Sequence, residues 1–124
     1  MLNAKQAATV TNIVKWAKRR KLPERRASIT FNFQCNCLAY SATISRFENG
    51  DLAEIFINNS KVGSDSDSAA KDSAVVASIA LQHGVPLAVI RKALLRDPRG
   101  AASSPLGVAL DVVATWQTWE DELC

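Results

Sequence analysis

Two stretches of the chain alternate between apolar and polar residues in the way that predicts β-strands with one buried face. In residues 26–34, an alanine, an isoleucine and two phenylalanines alternate with serine, threonine, asparagine and glutamine. The alternation returns over residues 38–47, and residues 52–58 are predicted to form a third strand because Ile55, Phe56 and Ile57 suit a pleated, half-buried surface. Asn49-Gly50 separates the last two stretches, and this dipeptide predicts a tight hairpin because both residues accept positive φ. The pattern therefore predicts a three-stranded antiparallel meander.

Apolar residues with helical spacing flank these strands. Over about residues 3–20 they recur every three or four positions, which predicts an amphipathic helix. Pro23 ends it, because the residue before a proline disfavours the helical conformation. After the strands, serines and aspartates at 64–67 offer caps for a central helix. Its second half, residues 74–81, is almost wholly apolar, which predicts burial on most of its sides.

Two further helices are predicted to begin at Pro86 and Pro105, since proline is favoured in the first helical turn. The order of elements predicts an α+β fold: an N-terminal helix, the meander, and then three helices packed on one face of the sheet. A chain of 124 residues suits one core. We expect a basic amphipathic helix and linker over residues 1–24, a central domain over 25–113, and an acidic, tryptophan-containing helical extension over 114–124.

Positive charge is concentrated at the start of the chain. Residues 1–26 hold eight basic residues and one acidic residue, whereas the remainder holds seven basic and eleven acidic residues. Such a basic arm suits nucleic acid, an acidic partner, or simply a solvated helix end. The candidate nucleic-acid-binding residues are Lys18, Arg19, Arg20, Lys21, Arg25 and Arg26.

Membrane and export signals are not expected. No apolar run approaches the ~20 residues needed to cross a bilayer. Residues 1–10 have neither the apolar core nor the cleavage site of a signal peptide. The sequence therefore predicts a cytoplasmic protein without membrane contact.

The three cysteines, Cys35, Cys37 and Cys124, are the candidates for metal or redox chemistry. With the single histidine, His83, they make up four zinc-ligating side chains, but zinc sites normally take loop residues at close spacing. Cys35 and Cys37 instead fall where two predicted strands meet, and free cysteines are often simply buried. We expect no metal site, and a redox role for Cys35 and Cys37 remains an alternative.

Catalytic groups and cofactor sites are not predicted either. His83 lies in the last turn of a predicted helix, where its cation suits the helix dipole, and no nucleophile motif surrounds it. Three aspartates, Asp65, Asp67 and Asp72, cluster at a helix start, where acids are stabilising without a catalytic role. Glycine-rich phosphate loops are absent from the sequence. We expect no catalytic residue and no cofactor.

An apolar stripe near the C-terminus predicts a contact surface. Val112, Trp116, Trp119 and Leu123 recur at helical spacing, and the last of them lie in an acidic tail. Peripheral aromatic residues often mark protein interfaces, so these four are the candidate partner-binding residues for another protein or a second copy. The alternative is that they pack on the first helix of the same chain.

Five segments of the chain carry a family resemblance. They are Cys35-Asn-Cys-Leu-Ala-Tyr40, Leu52-Ala-Glu-Ile-Phe-Ile57, Lys61-Val-Gly-Ser64, Ala80-Leu-Gln-His-Gly-Val-Pro-Leu87 and Ile90-Arg-Lys-Ala-Leu94. Through them, residues 25–113 resemble the TSCPD domain, which occurs near the C-terminus of adenosylcobalamin-dependent (class II) ribonucleotide reductases and as small stand-alone proteins. The matching positions are mostly structural, so the resemblance implies a fold more than an activity.

The motif that gives this family its name, Thr-Ser-Cys-Pro-Asp, is not preserved. It would fall on residues 102–106, where Ser104 stands in place of the cysteine and Leu106 in place of the aspartate. A serine hydroxyl does not supply the nucleophilicity or metal affinity of a thiolate. Nothing in the sequence resembles the reductase barrel, its radical-site cysteines or a cobalamin site. The resemblance therefore implies a domain without reductase activity.

These observations predict a non-catalytic, stand-alone TSCPD-like domain that acts as a protein-interaction or regulatory module, in one version as a homodimer. A first alternative is an accessory or redox module of a ribonucleotide reductase, which would use the cysteines. A second is a nucleic-acid-binding protein that uses the basic N-terminal arm.

Overall fold

The computed structural model describes residues 18–123, and side chains as far as Trp116. Three strands come first, and three helices follow. The strands are β1 (Ser28–Cys35), β2 (Leu38–Arg46) and β3 (Leu52–Asn59); the helices are α1 (Asp65–Gln82), α2 (Leu87–Ala93) and α3 (Pro105–Leu123). All strand pairs are antiparallel, in the order β1-β2-β3. The predicted α+β class and the predicted meander are confirmed.

The predicted first helix lies almost entirely outside the described residues. Its last three residues, 18–20, are described, and they are not helical. The backbone N–H of Arg20 instead donates to the carbonyl oxygen of Gln82 at the end of α1, over 2.8 Å. The prediction that this helix reaches residue 20 is therefore wrong, because the chain here is bound alongside the end of another helix.

The two hairpins have different turns, and the turn at Asn49-Gly50 is not the one predicted. Asn36 and Cys37 form the two-residue connection between β1 and β2, with φ values of 51° and 65°. Between β2 and β3, positive φ is found at Gly50 but not at Asn49. The Gly50 N–H donates to the Phe47 carbonyl, which closes a four-residue turn over residues 47–50 whose last residue is the left-handed glycine. The Asn-Gly prediction thus placed the hairpin correctly but gave the wrong turn.

Helix α1 covers the free edge of β3. Its buried Ser78 hydroxyl accepts a hydrogen bond from the N–H of Ile55 (2.9 Å) and donates to the carbonyl of Ile55 (3.0 Å). The Gln82 side-chain amide donates to the carbonyl of Ala53 (3.1 Å). Backbone groups that would otherwise be unpaired at a sheet edge are satisfied by these side chains, and the edge is closed to further strand pairing.

The side of α1 that faces the sheet carries small residues, and its larger apolar residues face away. Ala70, Ala74 and Ala77 are buried, whereas three branched residues, Val75, Val76 and Ile79, are exposed. Close approach of the helix to β3 favours small side chains at the contact. The prediction that residues 74–81 are buried on most sides is wrong for this reason.

The core lies between the helices and one face of the sheet, here called the inner face. It is formed by residues of all three strands together with α1 and α3; the fully buried large side chains are Ile44, Ile55, Ile57, Leu110, Val113 and Asp67. The opposite side of the sheet is here called the outer face. Helix α3 runs without a break through residue 113, so the predicted extension from residue 114 continues the same helix.

Candidate functional site

A buried carboxylate stands at the start of α1. Asp67 is 1% exposed and accepts hydrogen bonds from the backbone N–H groups of Asn59 (2.9 Å) and Gly63 (3.1 Å). The Lys71 ammonium lies 2.8 Å away. The bond from Lys71 and those from the two backbone groups lower the pKa of Asp67 to about 2. Sequence analysis treated this acid as one of three stabilising a helix end, but the structure makes it the link between β3 and α1.

The helix start itself was predicted correctly. Ser64 is the N-cap of α1, and its hydroxyl accepts a hydrogen bond from the backbone N–H of Asp67. At the other end, His83 occupies the C-cap and its N–H donates to the carbonyls of Ile79 and Ala80. Gly84 follows with a φ of 93°, as expected for the residue after a helix.

The two described cysteines lie at the turn between β1 and β2: Cys35 is the last residue of β1, and Cys37 belongs to the turn. Cys35 is buried in the core, and burial raises the pKa of its thiol, so the reactive thiolate form is disfavoured. Cys37 is exposed in the turn. Within residues 18–116, no three metal-ligating side chains are close enough to hold an ion. The third cysteine, Cys124, lies outside the described residues.

The left-handed conformation of Cys37 leads to a stability prediction. A residue with a Cβ is strained at a φ of 65°, and glycine is not. We expect Cys37→Gly to raise the free energy of unfolding by about 1 kcal/mol. The matched variant Asn36→Gly should raise it less, because asparagine tolerates this conformation. Urea unfolding of the three proteins measures the difference, and a loss of stability in Cys37→Gly would show that its side chain makes a stabilising contact.

The six basic residues predicted to bind nucleic acid divide into two groups. Arg19, Arg20 and Arg26 are engaged within the chain. Arg19 donates to the Gln82 side chain (2.6 Å), Arg20 stacks 3.7 Å from the centre of the Phe47 ring, and Arg26 pairs with Glu54 (2.7 Å). The remaining three, Lys18, Lys21 and Arg25, are exposed.

The candidate partner stripe on α3 is partly used for internal packing. The Trp116 ring meets the Phe31 ring of β1 edge-on, with ring centres 4.7 Å apart, and Trp116 is half-buried. Val112 is also half-buried. The side chains of Trp119 and Leu123 lie outside the described set, so their predicted contact with a partner stays a prediction.

Ser104, which the resemblance aligns with the cysteine of the TSCPD motif, has a structural role here. Its hydroxyl accepts a hydrogen bond from the N–H of Gly107 (3.2 Å), in the first turn of α3. Nearby, Asp111 accepts hydrogen bonds from Arg96 and Arg91, at 2.8 and 2.9 Å. The Arg96 bond, and secondarily the Arg91 bond, lower the pKa of Asp111. These contacts therefore hold the start of α3 in place, and residue 104 carries a hydroxyl where the TSCPD motif has a thiol.

Exposed apolar residues on α1 form a surface that the sequence analysis missed. Val75, Val76 and Ile79 are 47%, 67% and 39% exposed, and they follow one another at helical spacing. We call these three residues the α1 ridge. Contiguous exposed apolar side chains are a common feature of protein contact sites. The apolar run was visible in the sequence, but its orientation depends on the alanines that face β3.

The outer face of the sheet is a second surface that the sequence analysis did not single out. Phe56 is 47% exposed there, in one cross-strand row with Thr43 and Thr30. The next row joins Asn58, Ser41 and Asn32. A shallow cavity of about 550 Å³ lies at this end of the sheet.

Arginines lie at the other end of the outer face. Arg25 and Arg26 border a cavity of about 480 Å³ together with Phe56, and also a neighbouring cavity of about 390 Å³. Arg46 lines the second of these cavities; its Nε and Nη2 are buried and have no hydrogen-bond partner. Buried donors without a partner are rare in proteins.

Comparison with known proteins gives a distant relative. Part of the chain is similar to part of a vitamin B12-dependent ribonucleotide reductase from Rhodopirellula baltica. The two are 33% identical over 87 residues, which are 70% of this chain but only 8% of the reductase. No family model matches the chain, and no solved structure matches it. The similarity agrees with the resemblance found in the sequence, and it covers a small fragment of the reductase.

Between residues 18 and 123, no helix is both long enough and apolar enough to cross a bilayer.

Proposed function

We propose that this protein is a non-catalytic interaction module that pairs with a second copy of itself through the α1 ridge. The observation that supports the proposal is the exposure of Val75, Val76 and Ile79 on a helix whose opposite side is fixed to β3. A rigid helix with apolar residues at helical spacing is suited to packing against another helix. The TSCPD-like resemblance and the departure at Ser104 support a role without chemistry.

The charges at the two ends of α1 favour an antiparallel pair. Asp65 and Asp72 are exposed in its N-terminal half, and Arg19 is bonded beside its C-terminal residue Gln82. A two-fold axis through the ridge would place the acidic end of each helix near the basic end of the other. The helix dipoles would then also be antiparallel.

The strength of this contact follows from its size. Stable interfaces bury about 800 Å² on each partner, which is more than three partly exposed side chains provide. We therefore expect a reversible dimer whose fraction rises with protein concentration and falls with added salt, because the flanking charges are screened.

Val76→Lys is expected to convert the protein to a monomer. It places a charge at the most exposed position of the ridge and leaves the buried side of α1 unchanged. The matched control is Val89→Lys, a 55% exposed valine on α2 outside the ridge. Sedimentation velocity over a wide concentration range should show a dimer for the wild type and Val89→Lys, and a monomer for Val76→Lys. A wild type that stays monomeric throughout would refute the proposal.

A second candidate function is that of an accessory module of a vitamin B12-dependent ribonucleotide reductase. The observation that favours it is the 33% identity with a fragment of such an enzyme. Purified reductase from the same cells should then bind this protein in a biosensor experiment, and an excess of the protein should change reductase activity. Absence of binding at concentrations where the self-associated form is populated would remove this candidate.

A further inference from the structure

The outer face of the sheet has the chemistry of a surface that makes hydrogen bonds without carrying much charge. The residues whose positions alternate onto it are Ser28, Thr30, Asn32, Gln34, Ala39, Ser41, Thr43, Ser45, Glu54, Phe56 and Asn58. Glu54 is the charged member of this set, and it is paired with Arg26. The described helices contact the opposite side of the sheet. Ser45 and Glu54 are buried at one end of the outer face, and the other hydroxyl and amide side chains are exposed or half-buried.

An exposed aromatic ring lies near the middle of this face. Phe56 lies on β3, and the Thr43 and Thr30 hydroxyls across the sheet share a hydrogen bond of 2.8 Å. Asn58 is two residues further along β3, about 7 Å away at the usual strand rise. A planar ring stacked on Phe56 would therefore have amide and hydroxyl groups within reach of its edge.

Cations adjoin the same ring on its other side. The cavity of about 480 Å³ that contains Phe56 is also lined by Arg25 and Arg26. Arg26 is held by Glu54 and by the carbonyl of Pro23, whereas Arg25 is exposed. Guanidinium groups with available N–H donors bind phosphate oxygens well.

We propose that the outer face binds single-stranded nucleic acid. A base stacks on Phe56, the amide row of Asn58 and Asn32 contacts base edges, and a phosphate lies at Arg25. Aromatic side chains on an open sheet, with neighbouring cations, are a recurrent way of binding unpaired bases. This proposal concerns a different surface from the α1 ridge and does not depend on self-association.

Two features favour a single strand over a duplex or a protein. A flat sheet face with one ring requires bases that are free to stack, which paired bases are not. A protein partner would favour a continuous apolar area, whereas Phe56 stands among hydroxyl and amide groups. The basic arm alone, in contrast, would bind single and double strands through charge without any part played by Phe56.

The test is fluorescence anisotropy with labelled single-stranded DNA and RNA oligonucleotides of mixed sequence, at low salt. We expect Phe56→Leu to weaken binding about tenfold, the loss of one stacked base. Phe56→Trp should bind at least as well as the wild type, since it keeps a π-face. Arg25→Ala should weaken binding and reduce its salt dependence. The matched control is Val89→Leu, an exposed apolar residue on α2 that lies in neither proposed surface.

Several results would overturn the proposal. These are the absence of binding to either nucleic acid at low salt, equal affinity for the corresponding duplex, and wild-type affinity in Phe56→Leu. If Phe56→Leu binds normally while a Lys18→Ala/Lys21→Ala variant does not, the basic arm is the binding surface. Unfolding curves of each variant confirm that the changes in affinity occur in folded protein.

Discussion

Replacing Asp67 with alanine should lower the midpoint of thermal unfolding by on the order of 10 °C or more. The substitution leaves the backbone N–H groups of Asn59 and Gly63 without an acceptor, and removes the partner of Lys71. Both N–H groups are held where β3 passes into α1, and unpaired buried donors are costly. Differential scanning calorimetry measures the shift.

The control for this prediction lies two residues earlier in the same helical turn. Asp65 is exposed, and its main expected contribution is the favourable placement of an acid near a helix N-terminus. Asp65→Ala should therefore move the midpoint by only a few degrees. Similar shifts in the two variants would mean that Asp67 acts through the helix dipole and that its hydrogen bonds to the backbone contribute little.

The same carboxylate predicts a pH dependence with a definite sign. The pKa of Asp67 in the folded chain is about 2, below the ordinary value of 3.8. Its charged form therefore stabilises the fold fully above about pH 4, and this contribution is lost as the pH falls towards 2. Urea unfolding across this window should show a steeper loss for the wild type than for Asp67→Asn, which cannot titrate. Parallel curves would contradict the depressed pKa.

Local pattern was sufficient to predict most of the architecture. Alternation located β1 and β2 to within about two residues, because one face of each strand is buried and the other is not, and the run from Ile55 to Ile57 located β3 equally well. Ser64 was found as a cap because capping depends on neighbours within one turn. Capping depends on contacts between residues that are close in sequence, and the alternation of apolar and polar residues can be recognised within a single strand.

The features that were missed depend on contacts between distant elements. Ser78 and Gln82 lie in a mostly apolar run and were not singled out in the sequence. Only the position of β3 shows that their side chains form hydrogen bonds with backbone groups at its edge. The same contact turns the alanines of α1 inwards and exposes Val76. A helical pattern of apolar residues indicates that some side is buried, but where nearly all residues are apolar it does not indicate which.

The candidate binding surfaces also depend on contacts between elements that are distant in sequence. Sequence analysis found basic residues and tryptophans because of their residue types, yet Arg19, Arg26 and Trp116 are engaged within the chain. Phe56 was predicted to lie in a half-buried strand, and its residue type does not indicate which face of the sheet it occupies. The outer face became visible as a surface only when the register placed Phe56 beside Thr43 and away from the helices.

Replacing Gly107 with alanine should destabilise the protein by about 2 kcal/mol, although alanine is the better helix former by about 1 kcal/mol. A Cβ at this position in the first turns of α3 would lie 2.9 Å from the Cβ of Ala102 and 3.3 Å from the Ser104 hydroxyl. The first distance is shorter than two carbon atoms tolerate, so the loop that precedes α3 has to move. Urea unfolding gives the free energy of the change.

A second substitution distinguishes this clash from a general need for glycine. Ala102→Gly removes the Cβ that Gly107→Ala would meet, so the double variant should be more stable than the sum of the two single changes predicts. We expect a coupling free energy of at least about 1 kcal/mol in its favour. Ala101→Gly, at the exposed neighbouring residue, should give no such coupling. If both glycine substitutions rescue equally, the effect comes from greater freedom of the loop and not from the contact between residues 102 and 107.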